Sequence, residues 1–167
     1  MNAIADLLIR HKAIEFGDFT LASGAKSRYY VDVKSAVTDP GLLAAIGQEI
    51  ADQYDFEVVA GVAVGGIPIA VATALAAGKP FTIIRAEEKD HGKKNPIIGE
   101  VKDKDVLLVE DVTTSGGSAL YGITTLRSAG AVADRVVTVV DREQGASAAL
   151  AKENICLFSL VKVSEIL

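Results

Sequence analysis

The side chains best suited to chemistry lie in one run, Val106 to Ser118. An apolar stretch there ends in two acids, Glu110 and Asp111, and a turn of Thr, Ser and Gly residues follows at positions 113–118. Backbone N–H groups at a helix start bind anions with help from the helix dipole, and small residues let the anion come close. We therefore predict a phosphate site at this turn, with carboxylates that hold sugar hydroxyls or a metal. The alternative is an ordinary cap on a structural helix, because the same residue types are frequent there.

A second polar cluster, residues 85–100, lies between apolar segments and contains Lys89, His91, Lys93 and Lys94. This composition predicts a partly cationic flap that can close over a negatively charged ligand. The alternative is that these charges are simply solvated, which is common for charged runs. The residue types alone leave both interpretations open.

The elements that must position these residues belong to one globular domain. The chain has 167 residues, half of them hydrophobic, which is enough apolar surface for a single core. Acidic residues outnumber basic ones by 22 to 17, and aromatic residues make up only 5% of the chain. It therefore lacks the basic surface and the stacking aromatics of a general nucleic-acid binder, and we expect no nucleic-acid partner.

We expect neither a membrane span nor a secretory signal. The first ten residues include Asp6 and predict a short amphipathic helix. The uncharged stretch 58–77 has the length of a bilayer span, but Gly and Pro residues interrupt it. The single cysteine, Cys156, lies in an apolar run and is predicted to be a buried side chain. A reducing, cytoplasmic location follows from that cysteine usage.

Short apolar runs alternate with helical segments from Val58 onward. Such continuous apolar strands are typical of a parallel sheet covered by helices on both faces, so we predict a doubly wound α/β fold. The predicted strands are 58–62, 81–85, 106–110, 136–140 and 155–160, and the predicted helices begin near 68 and 116 and span 146–152.

The residues before this sheet predict a small hood subdomain, about 1–38. Apolar and aromatic residues flank Ser23-Gly24 between positions 18 and 33, which indicates a hairpin-like unit. Asp39-Pro40 then begins a helix that runs to about Gln53. No repeat or low-complexity linker divides the chain, so residues 1–167 are predicted to form one domain.

Several motifs resemble those of one enzyme family. The acidic strand end and the following turn at 106–118 are similar to the signature of the type I phosphoribosyltransferases, which bind 5-phosphoribosyl 1-diphosphate. Within that family, residues 19–30 (FTLASGAKSRYY) resemble the N-terminal motif of the orotate phosphoribosyltransferases, and residues 85–92 (RAEEKDHG) resemble their catalytic loop. Asp141-Arg142 also matches, so the resemblance covers nearly the whole chain in the expected order.

The resemblance implies a role for each motif. Lys89, His91 and Asp111 would be the catalytic residues, and the first two would reach the active site of the neighbouring subunit of a homodimer. Thr114 and Arg142 would contact orotate, whose carboxylate suits a guanidinium. The residues implied for binding phosphoribosyl diphosphate are Arg85, Lys89, His91, Glu110, Asp111, Val112, Thr113, Thr114, Ser115, Gly116, Gly117 and Ser118.

The implied chemistry needs no protein nucleophile. Breaking the C1–O bond of a ribosyl diphosphate leaves positive charge on the sugar and negative charge on the departing diphosphate. Cations, exclusion of water and Mg²⁺ held mainly by the substrate therefore help, and Lys89 or His91 can donate a proton to the leaving group. No metal site made by the protein alone is implied.

Two side-chain assignments keep an alternative. Arg142 can instead pair with Asp141 or Glu143 at the end of a strand. Tyr29 and Tyr30 can line the base site from the hood subdomain or belong to a core.

Three positions depart from the family pattern. Many members have Lys where this chain has Ala22, Gly65 and Ala86. Three cations on the diphosphate side are therefore absent, and backbone N–H groups of residues 64–67 are candidates for an anion nest. We predict that this chain relies more on Mg²⁺ and on its main chain than on lysine.

The function that these observations favour is phosphoribosyl transfer to orotate in UMP biosynthesis, with orotate and phosphoribosyl diphosphate as substrates and Mg²⁺ as cofactor. Transfer to another base is one alternative, although a neutral purine gives no reason for a guanidinium at Arg142. A regulator that senses phosphoribosyl diphosphate on the same fold is another. No residues remain for the DNA-binding module that such a regulator would need.

Overall fold

The computed structural model describes residues 2–86 and 95–167. The N-terminal part begins with helix α1 (Ala3–Arg10), which is followed by strands β1 (Ile14–Thr20) and β2 (Lys26–Val31) and the short helix α2 (Val33–Ala36). Strands β1 and β2 pair antiparallel in a two-stranded sheet of their own, which we call the hood hairpin. The predicted hairpin-like unit is therefore present. Its register shifts between Phe16 and Phe19, so one bulge bends β1.

The rest of the described chain builds a six-stranded sheet with the order β5-β4-β3-β6-β7-β8. All neighbouring strands are parallel except β5, which pairs antiparallel with β4, so the sheet is mixed. In chain order its elements are α3 (Pro40–Gln53), β3 (Val58–Val62), α4 (Gly66–Ala77), β4 (Phe81–Ile84), β5 (Ile97–Ile98), β6 (Asp105–Thr113), α5 (Gly117–Ser128), β7 (Val132–Asp141), α6 (Ala146–Ala151), β8 (Cys156–Lys162) and a final 3₁₀ turn, Val163–Glu165.

Helices cover both faces of this sheet, as the continuous apolar strands predicted. Every residue of β3 is buried. On one face α1, α3 and α4 contribute to a single apolar cluster, for example through Leu8, Ile46 and Ile69. On the other face α5 and α6 pack through Ile123 and Leu150. The predicted α/β fold class is confirmed.

The predicted ends of helices and strands agree best with the structure where capping residues mark them. Helix α3 begins after Asp39, whose carboxylate accepts a hydrogen bond from the Leu42 N–H at 2.9 Å, and it ends at Gln53 as predicted. Strands β6 and β7 run further than expected, because Thr113 and Asp141 continue their parallel pairing. The uncharged stretch 58–77 divides into β3, a loop and α4, and no helix in the described ranges is long and apolar enough to cross a bilayer.

The prediction that Cys156 is buried is wrong, because its side chain is exposed. Cys156 is the first residue of β8, which is an edge strand with exposed and partly buried residues in alternation over its first four positions. Ile155, directly before it, is buried. An apolar run on an edge strand turns part of its residues outward, and this pattern is hard to distinguish from a central strand by composition.

Candidate functional site

The candidate site lies at the carboxyl ends of the parallel strands, which is where ligands bind in open α/β sheets. Strand β6 leads into the turn 114–116 and then α5, while β7 ends at Asp141, directly before Arg142. Strands β3 and β4 end nearby in the sheet order and lead into residues 63–65 and Arg85. The fold thus brings all the described motifs of the predicted site to one edge of the sheet.

The turn predicted to bind phosphate leads into a helix whose first backbone N–H groups have no side-chain cap. Helix α5 starts after Gly116, which has a φ of +92°, a conformation that glycine adopts without strain. No side chain caps this helix, so the ordinary-cap alternative does not apply, and the first N–H groups remain available for an anion. A cavity of about 120 Å³ lies here, lined by Glu110 and residues 112–119. Predicted residues Val112 to Ser118 therefore surround one small cavity.

Glu110 is a buried carboxyl group beside this cavity, with only 5% of its surface exposed. The Ser118 hydroxyl donates a hydrogen bond to its Oε1 at 3.2 Å. Burial, and then the negative charge of Asp111, raise the pKa of Glu110 to about 7, while the bond from Ser118 opposes that shift. A ligand whose hydroxyl groups donate to this carboxylate would favour its ionised form.

The carboxylate of Asp111 lies against the loop after β3. A Cβ atom added to Gly65 would be 2.5 Å from Cγ and both carboxylate oxygens of Asp111, so only glycine fits beside this acid in its observed position. The Ile67 N–H, one donor of the predicted anion nest, already donates to the Val64 carbonyl at 3.2 Å. Many family members have lysine at position 65. In this chain the Asp111 carboxylate occupies the space that the side chain of such a lysine would enter.

Arg85 is exposed and follows β4 directly. Its backbone N–H donates to the Pro96 carbonyl at 2.8 Å, and its own carbonyl accepts a hydrogen bond from the Tyr121 hydroxyl at 2.9 Å. The other cations predicted for the diphosphate, Lys89 and His91, lie outside the described residues.

A larger cavity, with a volume of about 800 Å³, lies between the hood hairpin and Arg142. The Arg142 guanidinium carbon is 5.1 Å from the centre of the Tyr29 ring. Its Nε is buried and has no hydrogen-bond partner among the residues that the structure describes. A buried donor without a protein partner is available to an acceptor on a ligand. Tyr29 lines this cavity, whereas Tyr30 is exposed and packs on Phe19.

The alternative pairing of Arg142 with its neighbouring acids is not what the structure contains. Asp141 Oδ1 accepts from the Glu143 N–H, and Glu143 Oε2 accepts from the Ser164 N–H, both at 2.8 Å. Thr114 lines the small phosphate cavity and is not part of the lining of the larger one. Its predicted contact with orotate therefore stays a prediction.

Sequence reasoning missed several residues of the larger cavity and one near Arg85. Lys26 and Arg28 line the cavity from the hood hairpin, and Gln144 lines it two residues after Arg142. The two cations, Lys26 and Arg28, had a readable signal, since both lie within the quoted hood motif, residues 19–30. Tyr121 follows Ser118 by three residues, a spacing that places both on one side of a helix.

Comparisons with known proteins agree with this geometry. The family described as phosphoribosyl transferase domain matches residues 34–161. An orotate phosphoribosyltransferase of Methanocorpusculum labreanum is 64% identical over 167 residues, which cover all of this chain and 99% of that protein.

Two solved structures are also similar. The orotate phosphoribosyltransferase of Aeropyrum pernix has a TM-score of 0.85 at 32% identity, over 98% of this chain and 96% of that one. The Mycobacterium tuberculosis orotate phosphoribosyltransferase in complex with 5-phospho-α-D-ribosyl 1-diphosphate has a TM-score of 0.76 at 28% identity, over 98% of this chain and 91% of that one.

Proposed function

Because this chain belongs to the phosphoribosyltransferase family, and to its orotate phosphoribosyltransferases, we propose that it transfers the phosphoribosyl group of phosphoribosyl diphosphate to orotate. The products are orotidine 5′-phosphate and diphosphate, and the reaction belongs to pyrimidine biosynthesis. The enzyme is thus a glycosyltransferase that acts on two small anionic substrates.

The single observation that carries the choice of base is the state of Arg142. A partly buried guanidinium whose Nε has no partner in the described part of the chain, and which lies over the Tyr29 ring at the edge of a cavity, suits a planar ligand with a carboxylate. Orotate is such a ligand, whereas uracil, adenine and hypoxanthine carry no carboxylate. The additional cations Lys26 and Arg28 on the same cavity favour an anionic base as well.

In the proposed mechanism, different structural elements bind different parts of phosphoribosyl diphosphate. The N-terminus of α5 binds the 5′-phosphate, and the carboxylates of Glu110 and Asp111 accept hydrogen bonds from the ribose hydroxyls. Arg85 binds the diphosphate. As the C1–O bond breaks, its electron pair leaves with the diphosphate, and the two acids also stabilise the positive charge on the ribose. The ring nitrogen of orotate, held by Arg142, then bonds to C1 and releases its proton to solvent. Lys89 and His91 remain the predicted donors to the leaving diphosphate.

The residues present fit a Mg²⁺ ion that the diphosphate brings with it. Diphosphate oxygens are ligands that Mg²⁺ prefers, and Glu110 and Asp111 would hold the ribose of the same substrate. Bound in this way, Mg²⁺ supplies charge neutralisation for the leaving group. We expect activity to be abolished by a chelator and restored by added Mg²⁺, and activity that persists without divalent metal would overturn this part.

We also propose a homodimer with shared active sites in the cytoplasm. Leu75 and Phe81, which are 80% and 41% exposed, line one cavity near the edge of the main sheet, and Ile98, 46% exposed, lies on the edge strand β5. We call these three residues the α4–β5 face. An apolar surface of this kind suits a second copy of the chain. The exposed thiol of Cys156 supports a reducing compartment.

The test is the change in ultraviolet absorbance when the purified protein receives phosphoribosyl diphosphate, Mg²⁺ and one base. We expect turnover with orotate and none with uracil, adenine, guanine or hypoxanthine. Arg142→Gln should lower kcat/KM for orotate by about 10²-fold, because the carboxylate loses a charged donor. Turnover with a neutral base would overturn the assignment, and binding of phosphoribosyl diphosphate without any turnover would favour a regulator.

A further inference from the structure

Helix α5 contacts two different parts of the proposed substrate site through side chains three residues apart. Ser118 donates to Glu110, next to the phosphate turn. Tyr121 donates its hydroxyl hydrogen to the backbone carbonyl of Arg85 at 2.9 Å. Residues three apart on a helix lie on the same side, so one turn of α5 joins the acid and the cation.

The bond from Tyr121 completes the fixation of the Arg85 backbone. Arg85 lies just beyond the last residue of β4 and is exposed. Its N–H is held by the Pro96 carbonyl at 2.8 Å, and the hydroxyl of Tyr121 holds its carbonyl from the other side. Both backbone groups of Arg85 therefore have a partner, and the Cα atom from which its side chain extends is fixed relative to α5.

We infer that Tyr121 is a positioning residue for phosphoribosyl diphosphate, and this inference rests on the proposed function. Its hydroxyl fixes Arg85 at a set distance from the phosphate turn, because both are tied to the first two turns of α5. The 5′-phosphate and the diphosphate of one substrate are then bound by groups on one rigid unit. Without the hydroxyl, Arg85 must be ordered when the substrate binds, which costs affinity.

Tyr121→Phe tests the inference because it removes the hydroxyl and keeps the ring. We expect KM for phosphoribosyl diphosphate to rise by about two- to tenfold, the range for loss of one neutral hydrogen bond. KM for orotate and the melting temperature should be unchanged within error, since the hydrogen bond is at the surface. A fall in melting temperature with unchanged KM would mean a structural role only and would overturn the inference.

Tyr54→Phe is the matched control. Tyr54 also packs its ring on a neighbour, with its ring centre 5.5 Å from that of Phe158, and follows the last residue of α3. The Tyr54→Phe variant also loses a phenolic oxygen, but at a position far from Arg85 in the chain. KM for phosphoribosyl diphosphate and KM for orotate should therefore both equal those of the wild type. An equal rise in both variants would contradict a specific role for Tyr121.

A double variant tests whether Tyr121 affects KM for phosphoribosyl diphosphate through Arg85 or by contacting the substrate itself. In an Arg85→Ala background, Tyr121→Phe should add less than a twofold further change in KM, because the side chain that it positions is gone. Full additivity of the two changes would overturn the inference. Failure of the proposed function has a different signature, since wild type, Tyr54→Phe and Tyr121→Phe would then all lack turnover with orotate.

Discussion

Glu110 is buried, although the role that we propose for it needs its charge. Its pKa is raised from an ordinary value of 4.5 to about 7 by burial first and then by Asp111. The folded protein therefore binds a proton at Glu110 more tightly than the unfolded chain does. The contribution to stability is complete below about pH 4.5 and is lost as the pH rises through about 7.

Replacing Glu110 by Gln removes this dependence on pH. Between about pH 5 and pH 8 the free energy of unfolding of the wild type should fall, relative to that of the Gln variant, by on the order of 3 kcal/mol. Denaturant titrations of both proteins across this range measure it. Affinity for phosphoribosyl diphosphate should depend on pH differently in the two proteins, with an additional rise in the wild type, because ribose hydroxyls donate to the ionised carboxylate of Glu110. Parallel stability curves for the two proteins would contradict the prediction.

Gly65 and Asp111 should be energetically coupled. Gly65 has φ −62° and ψ −32°, which alanine adopts readily, so the nearest conflict in Gly65→Ala is between its Cβ atom and the Asp111 carboxylate. We expect the acid to turn away and the affinity for phosphoribosyl diphosphate to fall about tenfold. Calorimetric titration measures this change.

The control is the same substitution in an Asp111→Ala background. There the conflict is absent, so Gly65→Ala should change neither affinity nor melting temperature further. A loss of equal size in both backgrounds would show that Gly65 acts independently of the acid.

The sequence predicted many of the residues of this site but few of the contacts between them. Glu110, Asp111 and Arg142 are recognisable because each occupies a strand end next to a turn or another acid. The contact of Gly65 with Asp111 joins residues that are far apart in sequence, and no local pattern encodes it. For the same reason the hydrogen bond between Tyr121 and Arg85 could be found only in three dimensions.

At the scale of elements, the close packing of α3 on α4 depends on Gly47. A Cβ atom there would lie 2.6 to 2.8 Å from atoms of Ala72, so the backbones of the two helices are in contact. Gly47→Ala should lower the free energy of unfolding by about 1–3 kcal/mol, although alanine favours helix, because the helices must separate. Thermal and denaturant unfolding measure the loss.

Gln48→Ala is the neighbouring control. Its side chain is exposed on the same helix and contacts Asp52 rather than α4. We expect its unfolding free energy to stay within about 0.5 kcal/mol of the wild type. If Gly47→Ala were the more stable protein, helix propensity rather than packing would dominate at this position.

Helices and strands that are marked by their own residues were predicted from the sequence. A strand that forms only because it pairs with a neighbouring strand was not. Helix α3 has a proline in its first turn and a capping aspartate, and β3 is a short apolar run between Glu57 and a turn that contains Gly65. Strand β5 has only two residues and exists because Ile97 and Ile98 pair with β4, so its antiparallel direction was unforeseen. The same dependence on neighbours explains the exposed Cys156 on β8.

At the scale of the whole molecule, the α4–β5 face should hold two copies of the chain together. Leu75 is 80% exposed, and it lines a cavity of about 380 Å³ together with Phe81. Leu75→Glu should convert a dimer into a monomer, because a charge would be buried at the interface. Light scattering on a sizing column measures the mass. Val132→Glu is the control, since Val132 is also exposed, at 58%, but lies at the start of β7.

Shared active sites make a separate prediction. A Lys89→Ala chain and an Asp111→Asn chain should each be nearly inactive, and mixing them should restore part of the activity if Lys89 acts across the interface. In a heterodimer one of the two sites would then be intact. Absence of any complementation in verified heterodimers would place Lys89 in the site of its own subunit.

The contact between Gly65 and Asp111 also limits the evolutionary paths open to this protein. A lineage that gains lysine at position 65 gains a cation for the diphosphate, yet its first effect is to displace the acid that we propose holds the ribose. The benefit depends on whether the loop around Asp111 has already changed. The same mutation is thus harmful in this background and useful in another, so the order in which substitutions occur decides which member of the family can be reached.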